Sequence, residues 1–186
     1  MMTNQLKYIL LLFLFTSYSF NLNSQDVQKV DLGCLENLYQ LNSDVYRSDQ
    51  PNRISMQDLE YYGVKSILSL RFLNDDSNEA KGTNLKLFSV PMFAWNIKYE
   101  DVLKAMKILN EAPKPILIHC YHGSDRTGLI IALYRLINNK WSKQDAMFEL
   151  KQKKFGYHSF LFPNIENFIL ELDISQFKKD LEDYQL

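Results

Sequence analysis

From residue 35 onward, short apolar runs of strand length alternate with longer stretches in which apolar residues return every three or four positions. The short runs Lys65 to Leu70, Leu85 to Val90 and Ile116 to Cys120 predict strands, and Leu38 to Tyr46 predicts an opening pair around an Asn42-Ser43-Asp44 turn. The helical rhythm covers Ser55 to Tyr62, with Ser55 as the expected cap and Gly63 as the stop, and Tyr99 to Glu111, ended by Pro113 and Pro115. It returns over Thr127 to Asn139, Ser142 to Lys154 and Asn164 to Leu172. The charged tail from Ser175 reads as a peripheral helix, and Asn74 to Asn84, rich in Asn, Asp, Ser and Gly, as a surface loop. Strands alternating with helices predict an α/β fold, with a central, mainly parallel, twisted sheet flanked by helices. A chain of 186 residues, 46% hydrophobic and 13% aromatic, supplies one sizeable core and hence a single domain.

Charge adds exclusions rather than a partner. A net charge of −1 with both signs mixed provides no field for nucleic acid or an anionic membrane surface. There is no internal repeat, no low-complexity tract and no Cys/His spacing suited to zinc. The first two dozen residues differ sharply: Lys7 precedes the apolar run Tyr8 to Phe15, followed by Thr16-Ser17-Tyr18-Ser19. That is the layout of a signal peptide over residues 1–24, which makes 25–186 an exported domain. The run is shorter than the about 20 apolar residues a span requires. The alternative is an uncleaved N-terminal membrane anchor extending through Phe20, the one way this domain would meet a membrane. Cys34 has no lipobox, because Val30-Asp31-Leu32-Gly33 puts an acid where small or apolar residues belong.

The chemistry concentrates in His119-Cys120-Tyr121-His122-Gly123-Ser124-Asp125-Arg126-Thr127-Gly128, between the apolar run Pro115 to Ile118 and a helix. The order is strand, loop, helix. A helix N-terminus presents unpaired N–H groups and a positive dipole end, so the residues between Cys120 and Arg126 can curl those donors around an oxyanion. Gly123 permits the curl, and the Arg126 guanidinium adds a planar fork that matches two phosphate oxygens. Those fields also favour a thiolate over a thiol at Cys120, which makes it the candidate nucleophile. Tyr121, His122, Gly123, Ser124, Asp125 and Arg126 are the expected phosphate-binding residues.

This loop resembles the Cys-x5-Arg signature of the protein tyrosine phosphatase superfamily, and with His before Cys and Thr-Gly after Arg it is similar to the dual-specificity branch. Val45-Tyr46-Arg47-Ser48-Asp49-Gln50-Pro51 resembles the Tyr-Arg-Ser-x-Gln-Pro segment of small bacterial and fungal members. Gly63 to Arg71 and Val90-Pro91-Met92 are similar to later segments of the same proteins, so the likeness covers roughly residues 35 to 172. It implies a dual-specificity-phosphatase-like fold and a phosphatase without metal or other cofactor. Cys120 would attack phosphorus to give a thiophosphate that water then hydrolyses. Substrates would be phosphoproteins bearing phosphotyrosine, phosphoserine or phosphothreonine, or inositol or lipid phosphates, and a monomer suffices. By the same resemblance Thr127 donates a hydrogen bond to the departing sulfur, with helix capping as its plainer role. His119 reads as a buried scaffold group bonding loop carbonyls, and His122 as a rim residue.

One family element is missing. The acid that protonates the leaving oxygen usually follows the Val-Pro-hydrophobic segment, and here that stretch is Phe93-Ala94-Trp95-Asn96. Glu100 and Asp101 lie where a helix should begin and are more naturally dipole-stabilising residues. Asp125 is the stronger candidate, because the Asp-Arg-Thr ending resembles the loops of myotubularin and Sac-type phosphatases, where a loop Asp serves as the acid. Its structural alternative is to fix the loop by accepting local N–H groups or Arg71. Arg71, at a strand end, is a possible accessory to phosphate, and Phe93 and Trp95 could wall the pocket. Phe155-Gly156-Tyr157-His158 falls where related enzymes approach the site, without a role that the sequence defines.

Two rival functions share these residues: a phosphate-binding module without turnover, and a thiol-redox or sulfur-transfer protein of rhodanese type. Export exposes a reactive thiol to oxidation, and Cys34 could pair with Cys120, although burial of Cys34 is the simpler expectation.

Overall fold

The computed structural model describes residues 27–33, 35–73 and 75–186. The segment read as a signal peptide lies outside the described residues, as do Cys34, with its suggested pairing, and Asn74.

Six strands form one mixed sheet in the order β1-β2-β3-β6-β4-β5. β1 (Gln28–Lys29) and β2 (Tyr39–Gln40) pair antiparallel with each other, and β2 pairs antiparallel with β3 (Val45–Ser48). β3, β6 (Ile116–His119), β4 (Ser66–Ser69) and β5 (Lys86–Ser89) are parallel, with Ser48 and Ser69 both in register with His119. β6 is therefore central, and Ile116, Leu117 and Ile118 are fully buried. Burial on both faces explains why this strand reads as an unbroken apolar run. Period-two alternation puts Ile116, Ile118 and Cys120 in the larger core, whereas Leu117 joins the smaller core with Met56 and Leu59.

α1 (Arg53–Tyr62) carries that smaller core. Its cap is Asn52, whose Oδ1 accepts the Ser55 N–H at 2.9 Å, so Ser55 lies within the first turn rather than capping it. The larger core packs α2 (Tyr99–Glu111), α3 (Asp125–Ile137), α4 (Lys143–Leu150), α5 (Pro163–Glu171) and α6 (Ile174–Asp183) on the other face. α3 starts two residues earlier than the apolar rhythm indicates, because polar Asp125 and Arg126 make up its first turn. Ser142 caps α4, and a 3₁₀ turn, Lys153–Phe155, follows it instead of a continuous helix. α6 is less peripheral than its charge suggests: Phe177 is fully buried, edge-on to Tyr99 at 5.4 Å, and Leu181 is buried too. The loop after β4 also departs from expectation. Asp76 is 1% exposed, because it reaches inward to pair with His119.

Candidate active site

Cys120 directly follows the central strand and is buried, and Arg126 stands on the first turn of α3. The loop between them is turned by contacts on its outer side. Four successive carbonyls are each engaged there. The Cys120 carbonyl is 3.0 Å from His119 Nδ1, and the Tyr121 carbonyl accepts the Gln50 N–H at 3.2 Å. The His122 carbonyl accepts from Asn37 Nδ2 at 2.9 Å, and that of Gly123 accepts from Arg47 Nη2 at 2.6 Å. In a trans peptide the C=O and N–H point in opposite directions, so fixing these carbonyls outward turns the following N–H groups inward. Among the described residues, the N–H groups of Tyr121 through Arg126 make no hydrogen bond. The result is a concave ring of free donors at the positive end of a helix.

Gly123 makes this path possible. Its φ is +68°, and a Cβ there would collide with the Ser48 carbonyl and come within 2.7 Å of the Asp49 nitrogen. The loop thus lies directly on the end of β3. Arg47 on that strand is 1% exposed, with its guanidinium 4.3 Å above the Phe155 ring. Burial lowers it to about 10, opposed by the charges of Glu149 and Cys120. Even so, it remains a cation at neutral pH.

Arg126 spends Nη1 on the carbonyls of Leu70 and Met92, both at 3.2 Å. Its Nε is buried with no partner among the described residues, so the Nε side of the fork remains for an anion. Thr127 is fully buried, and its hydroxyl likewise has no partner. It lies inside α3, whose N-cap residue is Ser124.

His119 joins the loop to the segment after β4, with Nε2 2.6 Å from Asp76 Oδ2. On the strand its side chain alternates away from that of Cys120. Tyr121 and His122 are exposed on the rim, and Arg71 lies 5.9 Å above the Tyr121 ring. Glu100 and Asp101 occupy the first turn of α2. Phe72, Phe93 and Trp95 stack in series at 3.7 and 4.8 Å, beside the backbone that Arg126 holds.

Asp125 is 6% exposed, and its hydrogen bonds come from His158 rather than Arg71. Oδ1 accepts the His158 backbone N–H at 2.9 Å, and His158 Nδ1 lies 3.2 Å from Oδ1 and 3.1 Å from Oδ2. The sequence held no signal for this pairing beyond the position of His158 in an undefined segment.

Asp49, which follows β3, sits half-buried against the loop, with Oδ1 unpartnered among the described residues. Burial raises it from 3.8 to about 6. The folded protein then holds this proton more tightly than the unfolded chain, so stability is lost as pH rises from about 4 to about 6. Asp49→Asn is expected to flatten stability across that window and to raise the urea midpoint at pH 7. An unchanged profile would mean that this carboxyl is as well solvated as an ordinary aspartate.

A family model described as the tyrosine phosphatase family matches residues 35–184. The chain belongs to that family. It is 36% identical over 123 residues to the dual specificity protein phosphatase TpbA of Pseudomonas aeruginosa, covering 64% of this chain and 56% of the relative. It is 35% identical over 138 residues to the inositol diphosphatase SIW14 of Saccharomyces cerevisiae, covering 69% of this chain and 46% of that one. The chain therefore spans about half the length of the curated relatives it matches. The fold is similar to crystal structures of P. aeruginosa TpbA, one of them a Cys-to-Ser variant in complex with phosphotyrosine. That complex has a TM-score of 0.75 and 27% identity, over 87% of this chain and 99% of the other. The core catalytic domain of S. cerevisiae SIW14 with citrate gives a TM-score of 0.67 at 30% identity, over 82% and 95%.

Proposed function

We propose that this protein hydrolyses phosphate monoesters through a cysteinyl-phosphate intermediate. The observation that carries the reading is the ring of unpaired N–H groups from Tyr121 to Arg126 between a buried Cys120 and an Arg126 with a free donor edge. Cys120 Sγ attacks phosphorus while the ring and the Arg126 fork hold the equatorial oxygens, where charge develops in the transition state. Water then attacks the thiophosphate, and Thr127, whose buried hydroxyl is uncommitted, donates to the sulfur as it leaves. None of these steps calls on a metal.

Substrates of two kinds fit: phosphoproteins, as the likeness to TpbA supports, and inositol or lipid phosphates, as the likeness to SIW14 supports. The basic and apolar N-terminal pattern supports export of the domain.

The test is hydrolysis of p-nitrophenyl phosphate by the reduced protein, expected to be blocked by vanadate and unaffected by EDTA. Phosphate or vanadate binding without turnover would replace the reading with that of a binding module. A parallel panel of phosphopeptides, inositol phosphates and phosphoinositides is expected to rank the two substrate kinds.

A further inference from the structure

We propose that His158, held by Asp125, is the proton donor to the leaving oxygen, doing what a carboxylic acid after Met92 would otherwise do. The inference rests on the phosphatase reading above. Residues 93–98 contain no carboxylate, and Glu100 and Asp101 belong to the first turn of α2. Asp125, the remaining candidate, has both carboxylate oxygens facing the His158 ring, one of them also taking the His158 backbone N–H. That geometry orients a ring rather than presenting an acid to a ligand.

A carboxylate beside Nδ1 keeps a proton on that nitrogen in both the cationic and the neutral ring, so Nε2 on the far side is the nitrogen that gives up a proton from the cation and regains one. Two residues of the loop itself meet the ring: Asp125 at Nδ1, and His122 at a centroid separation of 5.8 Å. It therefore stands against the loop, held on the residue that precedes Arg126. With its side chain 42% exposed, it can exchange protons with water between turnovers.

The segment is built to put it there. Gly156 has φ +70°, and a Cβ on it would lie 3.0 Å from Ser124 Oγ, so the turn before His158 presses against the loop. Tyr157 pins the following turn by donating its hydroxyl to the Phe162 carbonyl at 2.7 Å.

The step balances without another reactant. Cys120 Sγ forms a bond to phosphorus, the P–O ester bond breaks with its electron pair on the leaving oxygen, and that oxygen takes the proton from His158 Nε2. In the second step the now neutral Nε2 accepts a proton from the attacking water as the P–S bond breaks. His158 is then a catalytic residue and Asp125 a positioning residue.

The test compares leaving groups. An aryl phosphate with a good leaving group, p-nitrophenyl phosphate, needs little protonation, whereas O-phosphoserine needs it fully. Because kcat/KM reports only the steps through departure of the leaving group, His158→Asn is expected to lower kcat/KM on O-phosphoserine by about a hundredfold or more, yet to leave kcat/KM on p-nitrophenyl phosphate within about threefold. Asp125→Asn should show the same split to a smaller degree, and the double variant should be no slower than His158→Asn alone. Equal losses on both substrates would overturn the proposal. So would an Asp125→Asn deficit on O-phosphoserine that His158→Asn does not share, since Asp125 would then be the acid itself. Failure of the wild-type protein to hydrolyse either substrate would instead remove the phosphatase reading.

Discussion

Cys120→Ser is expected to abolish turnover of every phosphomonoester, by about 10⁴-fold or more, while phosphate and vanadate still bind. The two halves of this expectation come from different parts of the site. Turnover depends on a sulfur nucleophile, and a serine hydroxyl in the same place keeps its proton and attacks phosphorus poorly. Binding depends on N–H groups whose direction is set by His119, Gln50, Asn37 and Arg47 from outside the loop, none of which the substitution touches. The change is also small in volume. Cys120 is 1% exposed among apolar neighbours of the larger core, and replacing sulfur by a hydroxyl there should move stability by only about 1 kcal/mol. Calorimetric titration with vanadate alongside a turnover assay reads both halves. If the variant retained turnover within tenfold of wild type, covalent catalysis through residue 120 would be wrong, however well the fold resembles a phosphatase.

The strand, loop and helix around Cys120 were legible because each announces itself locally. Ile116 to Ile118 are apolar on both faces, Gly123 marks a turn no other residue could make, and α3 carries a dense apolar rhythm. Cys120 and Arg126 at its two ends follow from that alone. What could not be read was every partner that arrives from far along the chain. Asn37 and Arg47 reach the loop from 85 and 76 residues away, and His158 reaches Asp125 from 33. Arg47 and His158 stand in segments that the family resemblance marks, yet nothing in the neighbourhood of any of the three says which group its side chain will meet. Asp76 shows the same limit more sharply. It lies in a stretch whose composition describes a solvated loop, but a buried imidazole at the sheet centre draws it in. The helix cap is a milder case, since Asn52 and Ser55 are both good capping types and only backbone geometry chooses between them. β1 had no signal at all, because Gln28 and Lys29 are exposed and owe their strand to backbone pairing with β2.

Arg126→Lys keeps a positive charge, and is nevertheless expected to lower kcat/KM by about 10³-fold and to weaken vanadate binding in step. The guanidinium does two things at once. Nη1 ties the Leu70 and Met92 carbonyls together at 3.2 Å, while the orphaned Nε–H is left to meet a phosphate oxygen. An ammonium is a single point on a flexible stem, so it can bridge the carbonyls or face the anion but cannot present a planar edge to one while holding the other. The loss should therefore be visible in the protein without any ligand. Phe72 and Phe93 follow closely on the two tied carbonyls and stack at 3.7 Å, with Trp95 next in the series, so loosening the tie should speed amide exchange over 70–73 and 92–95 and shift tryptophan emission. Arg71 provides the control, because it is a nearby arginine whose contact is with the face of Tyr121 on the rim. Arg71→Ala is expected to cost less than about tenfold in kcat/KM, in keeping with a peripheral cation–π contact. Were Arg71→Ala as damaging as Arg126→Lys, the phosphate fork would have been assigned to the wrong side chain; were Arg126→Lys nearly silent, charge alone would be holding the substrate and the geometry of the fork would be irrelevant.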